Sequence, residues 1–277
     1  MNGAMSTESW DAVMPSAWQT FRSAPATGAR NMAVDATLLD AARDRAFGVW
    51  RTYAWERPTV SFGRNEVVRT RFDAASVTQA GVDAVRRPTG GRALLHAAEV
   101  TYSVALPLSA AVPWQVVYAA INGVLIDALR ALGADASLAG VPTGVSLRPD
   151  GPACFAQPAA GEIVVRDAKL VGSAVWRDRG AYLQHGSILL EDHQDRLRDA
   201  MRTDVGAPAL SSSASLAGVL SSPPSWAAVA DALEHALRSA VAARHGNVLS
   251  ADAPPLDESE VARHEVRFSD PAWLWRR

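Results

Sequence analysis

Arg86-Arg87-Pro88-Thr89-Gly90-Gly91-Arg92-Ala93-Leu94-Leu95-His96 is the stretch from which the fold can be read outward. A proline followed closely by two glycines stops helix and strand alike, so Pro88 to Arg92 is a loop. Its flanks are extended. Asp83 to Arg87 reads as a strand before it. After it Val100, Tyr102, Val104 and Leu106 alternate with Thr101, Ser103 and Ala105, the period of a half-buried strand. The paired glycines let the backbone approach a ligand and turn its N–H groups toward a carbonyl or an anionic oxygen. Arg86, Arg87 and Arg92 beside them suit a carboxylate or a phosphate. A plain turn with solvated arginines is the competing reading, and glycine content alone favours it.

The rest of the chain supplies helices and further strands. Asn31 reads as a helix N-cap, with Met32, Ala33, Ala36 and Leu39 at helical spacing behind it. Val49 to Trp55 and Thr59 to Phe62 read as strands. Val117, Ile121, Val124, Leu125, Ala128 and Leu132 mark an amphipathic helix that Gly133 closes. Residues 134–160, rich in Ala, Gly and Pro, form a long loop of the kind that is often functional in a compact domain. Glu162 to Arg166, Leu170 to Trp176 and Tyr182 to Leu190 follow as strands, with Asp167-Ala168 as a hairpin turn. A Ser-rich loop, Ser211 to Ser225, leads to a helix carrying Val229, Leu233 and Leu237 on one face. Strands and helices mix without strict alternation. The expectation is one α+β domain over 21–277, behind a flexible tail over 1–20, with a mixed, largely antiparallel sheet flanked by helices.

Composition narrows the function classes. Of 277 residues, 48% are hydrophobic and 20% charged, enough for a sizeable core without disulfides or metals. The net charge of −2 lacks the basic bias expected of a nucleic-acid or membrane-surface partner. No apolar run is long enough to span a bilayer, and the first residues lack the apolar core of a signal peptide. The lone cysteine, Cys154, excludes an intramolecular disulfide and fits a reducing compartment. A cytoplasmic protein is expected.

Four places can carry chemistry: the glycine loop and three others. Cys154 stands in Gly151-Pro152-Ala153-Cys154-Phe155. A lone cysteine is more often an inert buried residue than a nucleophile. Its place in a long loop and the nearby Lys169, whose ammonium would acidify a thiol, raise its standing. Lys169-Leu170-Val171-Gly172-Ser173-Ala174 puts a glycine inside a strand, a mark of close approach by a ligand or another backbone. Gln184-His185-Gly186-Ser187 sets a histidine in a strand, as a site residue or one satisfied by backbone. The six histidines show no zinc spacing, Ser173 and Ser187 lack the nucleophile-elbow pattern, and there is neither a P-loop nor a dinucleotide fingerprint.

Taken together, the segments resemble the lipoate–protein ligase and octanoyltransferase family, which shares its fold with biotin protein ligases. Asn31-Met32-Ala33-Val34-Asp35 resembles the family's opening helix. Arg86 to His96 with Glu99-Val100-Thr101-Tyr102-Ser103 resembles its RRxxGGxAxxH…E-x-T-Y-S signature. Lys169 to Ala174 is similar to its K-x-x-G-S-A motif, Leu183 to Leu189 to its Q-H-G-S-I strand, and Arg267 to Trp273 to a common family ending. Arg92 replaces a third glycine frequent in the ligases, and Ala97 replaces an aspartate. Arg92 together with Cys154-Phe155 resembles the octanoyltransferase branch that uses a cysteine acyl-enzyme.

That resemblance implies a biotin/lipoate protein ligase catalytic-domain fold and a transfer of octanoyl from octanoyl-acyl carrier protein to a lysine of a lipoyl-domain protein, such as the glycine-cleavage H protein. It implies Cys154 and Lys169 as catalytic residues. Substrate would be bound by Arg87, Gly90, Gly91, Arg92, His96, Gly172, Ser173 and His185, with no metal and no cofactor. Two alternatives stand beside it: an ATP-dependent lipoate–protein ligase using ATP and Mg, and a non-catalytic module that binds a lipoyl or acyl group.

Overall fold

The computed structural model describes residues 13–140, 161–205, 213–245, 249–250 and 256–276. The first half of the chain forms β1 (Ala17–Arg22), α1 (Gly28–Ala42), β2 (Phe47–Tyr53), β3 (Thr59–Phe62), α2 (Ala74–Gln79), β4 (Asp83–Arg86), β5 (Leu94–His96), β6 (Glu99–Pro107) and α3 (Trp114–Ala131). The second half forms β7 (Ser137–Leu138), β8 (Ile163–Val165), β9 (Ala168–Asp178), β10 (Ala181–Leu189), a 3-10 turn (Gln194–Arg198), α4 (Leu216–Val219), α5 (Trp226–His245), β11 (Leu249–Ser250), α6 (Glu258–Ser269) and α7 (Pro271–Leu274).

Eight strands make one sheet in the order β11-β1-β2-β6-β10-β9-β8-β7. The β11–β1 and β1–β2 pairs are parallel and the remaining pairs antiparallel. A small sheet, β4-β3-β5, carries the glycine loop between β4 and β5. The expected mixed, largely antiparallel sheet with flanking helices is what forms.

Side-chain alternation along the strands gives the large sheet two apolar faces. On one, Trp50, Tyr102, Val104, Tyr182 and Ile188 meet Val117, Ile121 and Val124 of α3 and Leu233 and Leu237 of α5. On the other, Val49, Tyr53, Ala105 and Leu183 meet α1, and α6 closes over α1 with Val261 and Phe268. Helix α1 is therefore buried nearly all round, which its Ala-rich sequence permits. Helix α3 ends as its sequence requires: Gly133 takes φ +96°, and the N–H groups of Gly133 and Ala134 close on Arg130 O and Leu129 O.

Several expectations shift. The ordered fold begins inside the stretch read as tail, because Ala17–Arg22 pairs along its length with β2 and Trp18 is buried. The N-cap of α1 is Thr27, whose hydroxyl accepts the Arg30 N–H at 3.2 Å, while Asn31 lies inside the helix. The β8–β9 turn is Arg166-Asp167, one residue earlier than expected: both take positive φ (50° and 64°), leaving Val165 paired with Ala168. The expected loop 134–160 contains β7, and residues 141–160 fall outside the described residues. Helix α4, capped by Ser215, interrupts the Ser-rich loop. Helix α6 was not anticipated, since its stripe of Val261, His264 and Phe268 is narrow among charged neighbours.

Candidate active site

Asp35 follows Met32-Ala33-Val34 on the buried helix α1 and is itself 0% exposed. A charge there persists only when it is paired and hydrogen-bonded. Arg51 of β2, 1% exposed, donates from Nη1 to Asp35 Oδ1 at 2.8 Å, and Tyr53 OH donates to Oδ2 at 3.1 Å. The remaining Arg51 donors go to Asn31 O, Asn31 Oδ1 and Ser23 Oγ. His185 of β10 brings Nδ1 within 2.9 Å of Asp35 Oδ2. Burial pushes Asp35 up, but the His185 hydrogen bond and the Arg51 charge outweigh it and hold the carboxyl below its ordinary value. Burial pushes His185 down, against the pull of Asp35. The neutral imidazole then donates Nδ1–H to Asp35 and accepts the Thr89 hydroxyl proton at Nε2, 2.6 Å away. A helix carboxylate thereby anchors the glycine loop.

A second carboxylate organises the neighbouring wall. Oε1 of Glu99, at the start of β6, accepts from Thr101 Oγ1 at 2.6 Å, Ser187 Oγ at 2.8 Å and Trp55 Nε1 at 3.2 Å. His96 Nδ1 lies 2.7 Å from the same oxygen, and its Nε2 lies 2.7 Å from Ser61 Oγ. Trp55 stacks on the His96 ring with centroids 3.9 Å apart. Ala97 brings no polar side chain here, and the His96–Glu99 pair forms without one.

Between these groups lies an apolar pocket walled by Met32, Tyr53, Trp55 and Leu94, with His96, His185 and Arg87 among its polar lining residues. Its cavity volume is about 30 Å³, small beside the usual range of small-molecule sites. Gly172, Ser173 and Gly186 border it from the sheet. A Cβ on Gly186 would fall 2.4 Å from Gly172 O and 2.8 Å from the Tyr102 ring, so only glycine lets β9, β10 and Tyr102 close here. Ser173 and Ala174 also border a larger open cleft that Gly90, Gly91, Trp114, Tyr118 and Glu162 line, so pocket and cleft share this stretch of β9.

The glycine loop is held from beneath. Arg87 donates to Ser61 O at 2.9 Å, Gly90 O at 2.8 Å and Arg92 O at 2.9 Å. Arg86, fully buried, donates to Gly63 O at 2.7 Å and Glu66 O at 3.0 Å, and to Leu274 O and Arg276 O, each at 2.9 Å. Both arginines, expected to hold a carboxylate or phosphate, place these donors on the protein itself. In this fold they clamp backbone carbonyls, and Arg87 meets the pocket only as part of its wall. Arg92 is half-buried at the loop's end.

Lys169 lies at the start of β9 on the opposite sheet face, 2% exposed, with Nζ 2.7 Å from Glu162 Oε1. Four residues on, Ser173 Oγ lies 2.7 Å from Tyr102 OH. Gln184, beside His185, points to this face and donates to Tyr102 OH at 2.9 Å and Asn122 Oδ1 at 3.1 Å. One strand motif thus serves both faces. Cys154 lies outside the described residues. The structure brings His96, His185, Gly172 and Ser173 to the pocket, Gly90, Gly91 and Ser173 to the cleft, and Lys169 to the cleft's edge through Glu162.

Sequence reasoning assigned no role to Asp35, Glu99, Trp55, Thr89 or Glu162. A signal for Asp35 existed: a carboxylate inside an apolar helical run must find a partner. Another went unused. Lys169 is the only lysine in the chain, the other 26 of its 27 basic residues being arginine. Among the described residues no helix is long and apolar enough to cross a membrane, and no three His, Cys, Asp or Glu side chains gather as a metal site.

Residues 27–238 match the model of the lipoyl protein ligase A/B catalytic domain. The chain is 37% identical to octanoyltransferase LipM of Kyrpidia tusciae, over 94% of this chain and 99% of that protein. It is 35% identical to octanoyltransferase LipM of Symbiobacterium thermophilum, over 79% of this chain and 84% of that one. A chain from the archaeal lipoylation system of Thermoplasma acidophilum, a bi-partite lipoate protein ligase and its E2 lipoyl domain, aligns with a TM-score of 0.71. It covers 95% of this chain and 96% of that chain, and at 18% identity the likeness is one of fold alone.

Proposed function

Because the chain belongs to the lipoyl protein ligase A/B catalytic-domain family, we propose that it is an octanoyltransferase of protein lipoylation, acting on a lipoyl-domain protein. The observation that carries this reading is an apolar pocket that shares Ser173 and Ala174 of β9 with an open cleft beside the glycine loop. The apolar pocket would take the acyl chain, widening from its present volume to do so. Each methylene it buries contributes about 0.8 kcal/mol, several kcal/mol in all. The cleft then receives the protein-borne ends of donor and acceptor.

In the finer reading, the donor is octanoyl-acyl carrier protein and the nucleophile is Cys154. Its thiolate attacks the thioester carbonyl, the bond to the carrier's sulfur breaks, and the carrier leaves as a thiol after taking a proton. The substrate lysine, on a protein such as the glycine-cleavage H protein, then attacks the acyl-cysteine as a neutral amine. An amide forms, the Cys154 thiolate returns and the amine's proton is released. Lys169 would favour the thiolate with its positive charge. Gly90 and Gly91 would present backbone N–H groups to the developing oxyanion. His96 and His185, anchored by Glu99 and Asp35, shape the acyl pocket. The chemistry needs neither ATP nor a metal, and the reading places it in the cytoplasm.

Incubation with octanoyl-acyl carrier protein and no ATP is expected to add one octanoyl mass to the wild type and none to Cys154→Ala. Turnover that requires ATP and free lipoate would replace this reading with a ligase, and failure of both reactions would leave a binding module.

A further inference from the structure

A lysine drawn into a protein interior keeps its charge only where an anion meets it. Here the chain's single lysine is 2% exposed on β9, and Glu162 Oε1 stands 2.7 Å from its Nζ. Glu162 sits on a braced corner just before β8. Gly161 N donates to Ala139 O at 3.1 Å, and Ala139 N donates to Glu162 O at 2.7 Å. Asn122 of α3 donates from Nδ2 to Gly161 O at 2.9 Å. Asn122 is itself held by Gln184, which Tyr182 OH and Tyr102 OH fix in turn at 2.7 and 2.9 Å. Tyr102 OH reaches Ser173, which lines both pocket and cleft. A polar chain therefore runs from the mouth of the pocket to the corner that carries the partner of Lys169. The apolar core on this face explains no part of it, and the reaction outlined above uses neither Glu162 nor Asn122.

We propose that Glu162 is the positioning residue of this site, holding Lys169 as an ammonium at the edge of the cleft, with Asn122 and Gln184 fixing the corner from which it acts. The proposal rests on the reading that Lys169 assists the transfer. Tyr118 of α3 is a further titratable group in electrostatic contact with Lys169, and burial keeps it a neutral phenol. Arg166 and Asp167 flank Lys169 in sequence, on the exposed β8–β9 turn.

A single lysine permits a direct test. Protein labelled with carbon-13 at the lysine ε-carbon gives one signal, whose titration reports Lys169 alone. Glu162→Gln preserves the shape and removes the charge. Its midpoint is expected at least one pH unit below that of the wild type, with Glu162→Asp within half a unit. The alkaline limb of acyl-enzyme formation from octanoyl-acyl carrier protein should move by the same amount. Asn122→Ala leaves both charges in place and is expected to slow that step about tenfold at unchanged KM. Melting curves establish that each variant is folded, and if Glu162→Gln is not, the Asp and Asn122 variants decide. An unmoved midpoint in Glu162→Gln, with Lys169→Ala inactive, overturns this inference and spares the proposed function. A full rate in Lys169→Ala overturns the role of Lys169, and this proposal with it. Wild-type kinetics in Asn122→Ala removes the corner from the argument.

Discussion

His185 has one neighbour that takes its proton and another that gives one. Asp35 accepts at Nδ1–H, and Thr89 supplies its hydroxyl proton to Nε2. Burial lowers the histidine's affinity for a second proton, so the unfolded chain binds that proton more readily than the folded one. Stability then rises with pH in this window, and it is lost on acidification from about 6.5 downward. Asp35 acts lower on the scale. Its folded value is depressed, so its contribution is present above about pH 4 and is lost as the pH falls further. Urea midpoints measured from pH 7.5 to 4.5 should therefore fall on acidification in the wild type. In His185→Asn, which keeps an N–H donor but cannot titrate, the slope should flatten. Parallel slopes would show that His185 does not carry this dependence.

At the scale of elements, strand β3 and the glycine loop are locked by contact. A Cβ on Gly63 would stand 1.9 Å from Gly91 O, a backbone atom that cannot swing aside, whereas a Cβ on Gly90 would meet nothing within 4 Å. Gly63→Ala should therefore push the loop off β3 and cost about 1–3 kcal/mol by overpacking. Gly90→Ala should stay within about 0.5 kcal/mol of the wild type. Denaturant unfolding of the two variants checks the contrast, and equal stabilities would mean that the loop does not rest on β3 in solution. The pair β9–β10 shows a second property of elements. Because side chains alternate, Gln184 and His185 report to different helices and different networks.

At the scale of the whole molecule, the end of the described chain returns to the loop that opened the sequence. Arg86 gives two donors to Leu274 O and Arg276 O, and Trp273 Nε1 donates to Arg86 O at 2.9 Å. Arg267 and Arg276 each stack on Trp273 at 3.9 Å, and Trp275 packs on Phe62 of β3 with centroids 5.8 Å apart. Removing residues 271–277 would leave a fully buried guanidinium short of two acceptors, at a cost of roughly 3 kcal/mol. A chain ending at Asp270 should show a urea midpoint lowered to match and slower acyl-enzyme formation, since Arg86 also holds Gly63 O beneath the loop. An unchanged midpoint would mean that this closure carries no stability.

The amino-acid sequence by itself determined the α+β class, the glycine loop between extended segments, the alternating strand β6, the helix that Gly133 ends, and the family. Each of these is a local pattern: periodicity, a proline beside paired glycines, or short motifs in order. The sequence also pointed to Gly90, Gly91, His96, Lys169, Gly172, Ser173 and His185. Tertiary structure alone decided how such residues combine. It made Arg86 and Arg87 clamps on the loop, because buried backbone carbonyls accept from them. It paired Asp35 with His185 across 150 residues, joined Glu99 to His96 and Ser187, and set Glu162 against Lys169. Such pairings follow from strand register and from which face of the sheet each helix covers. A side chain's spacing along the chain carries neither, because a buried charge takes whichever partner the fold brings within hydrogen-bonding distance.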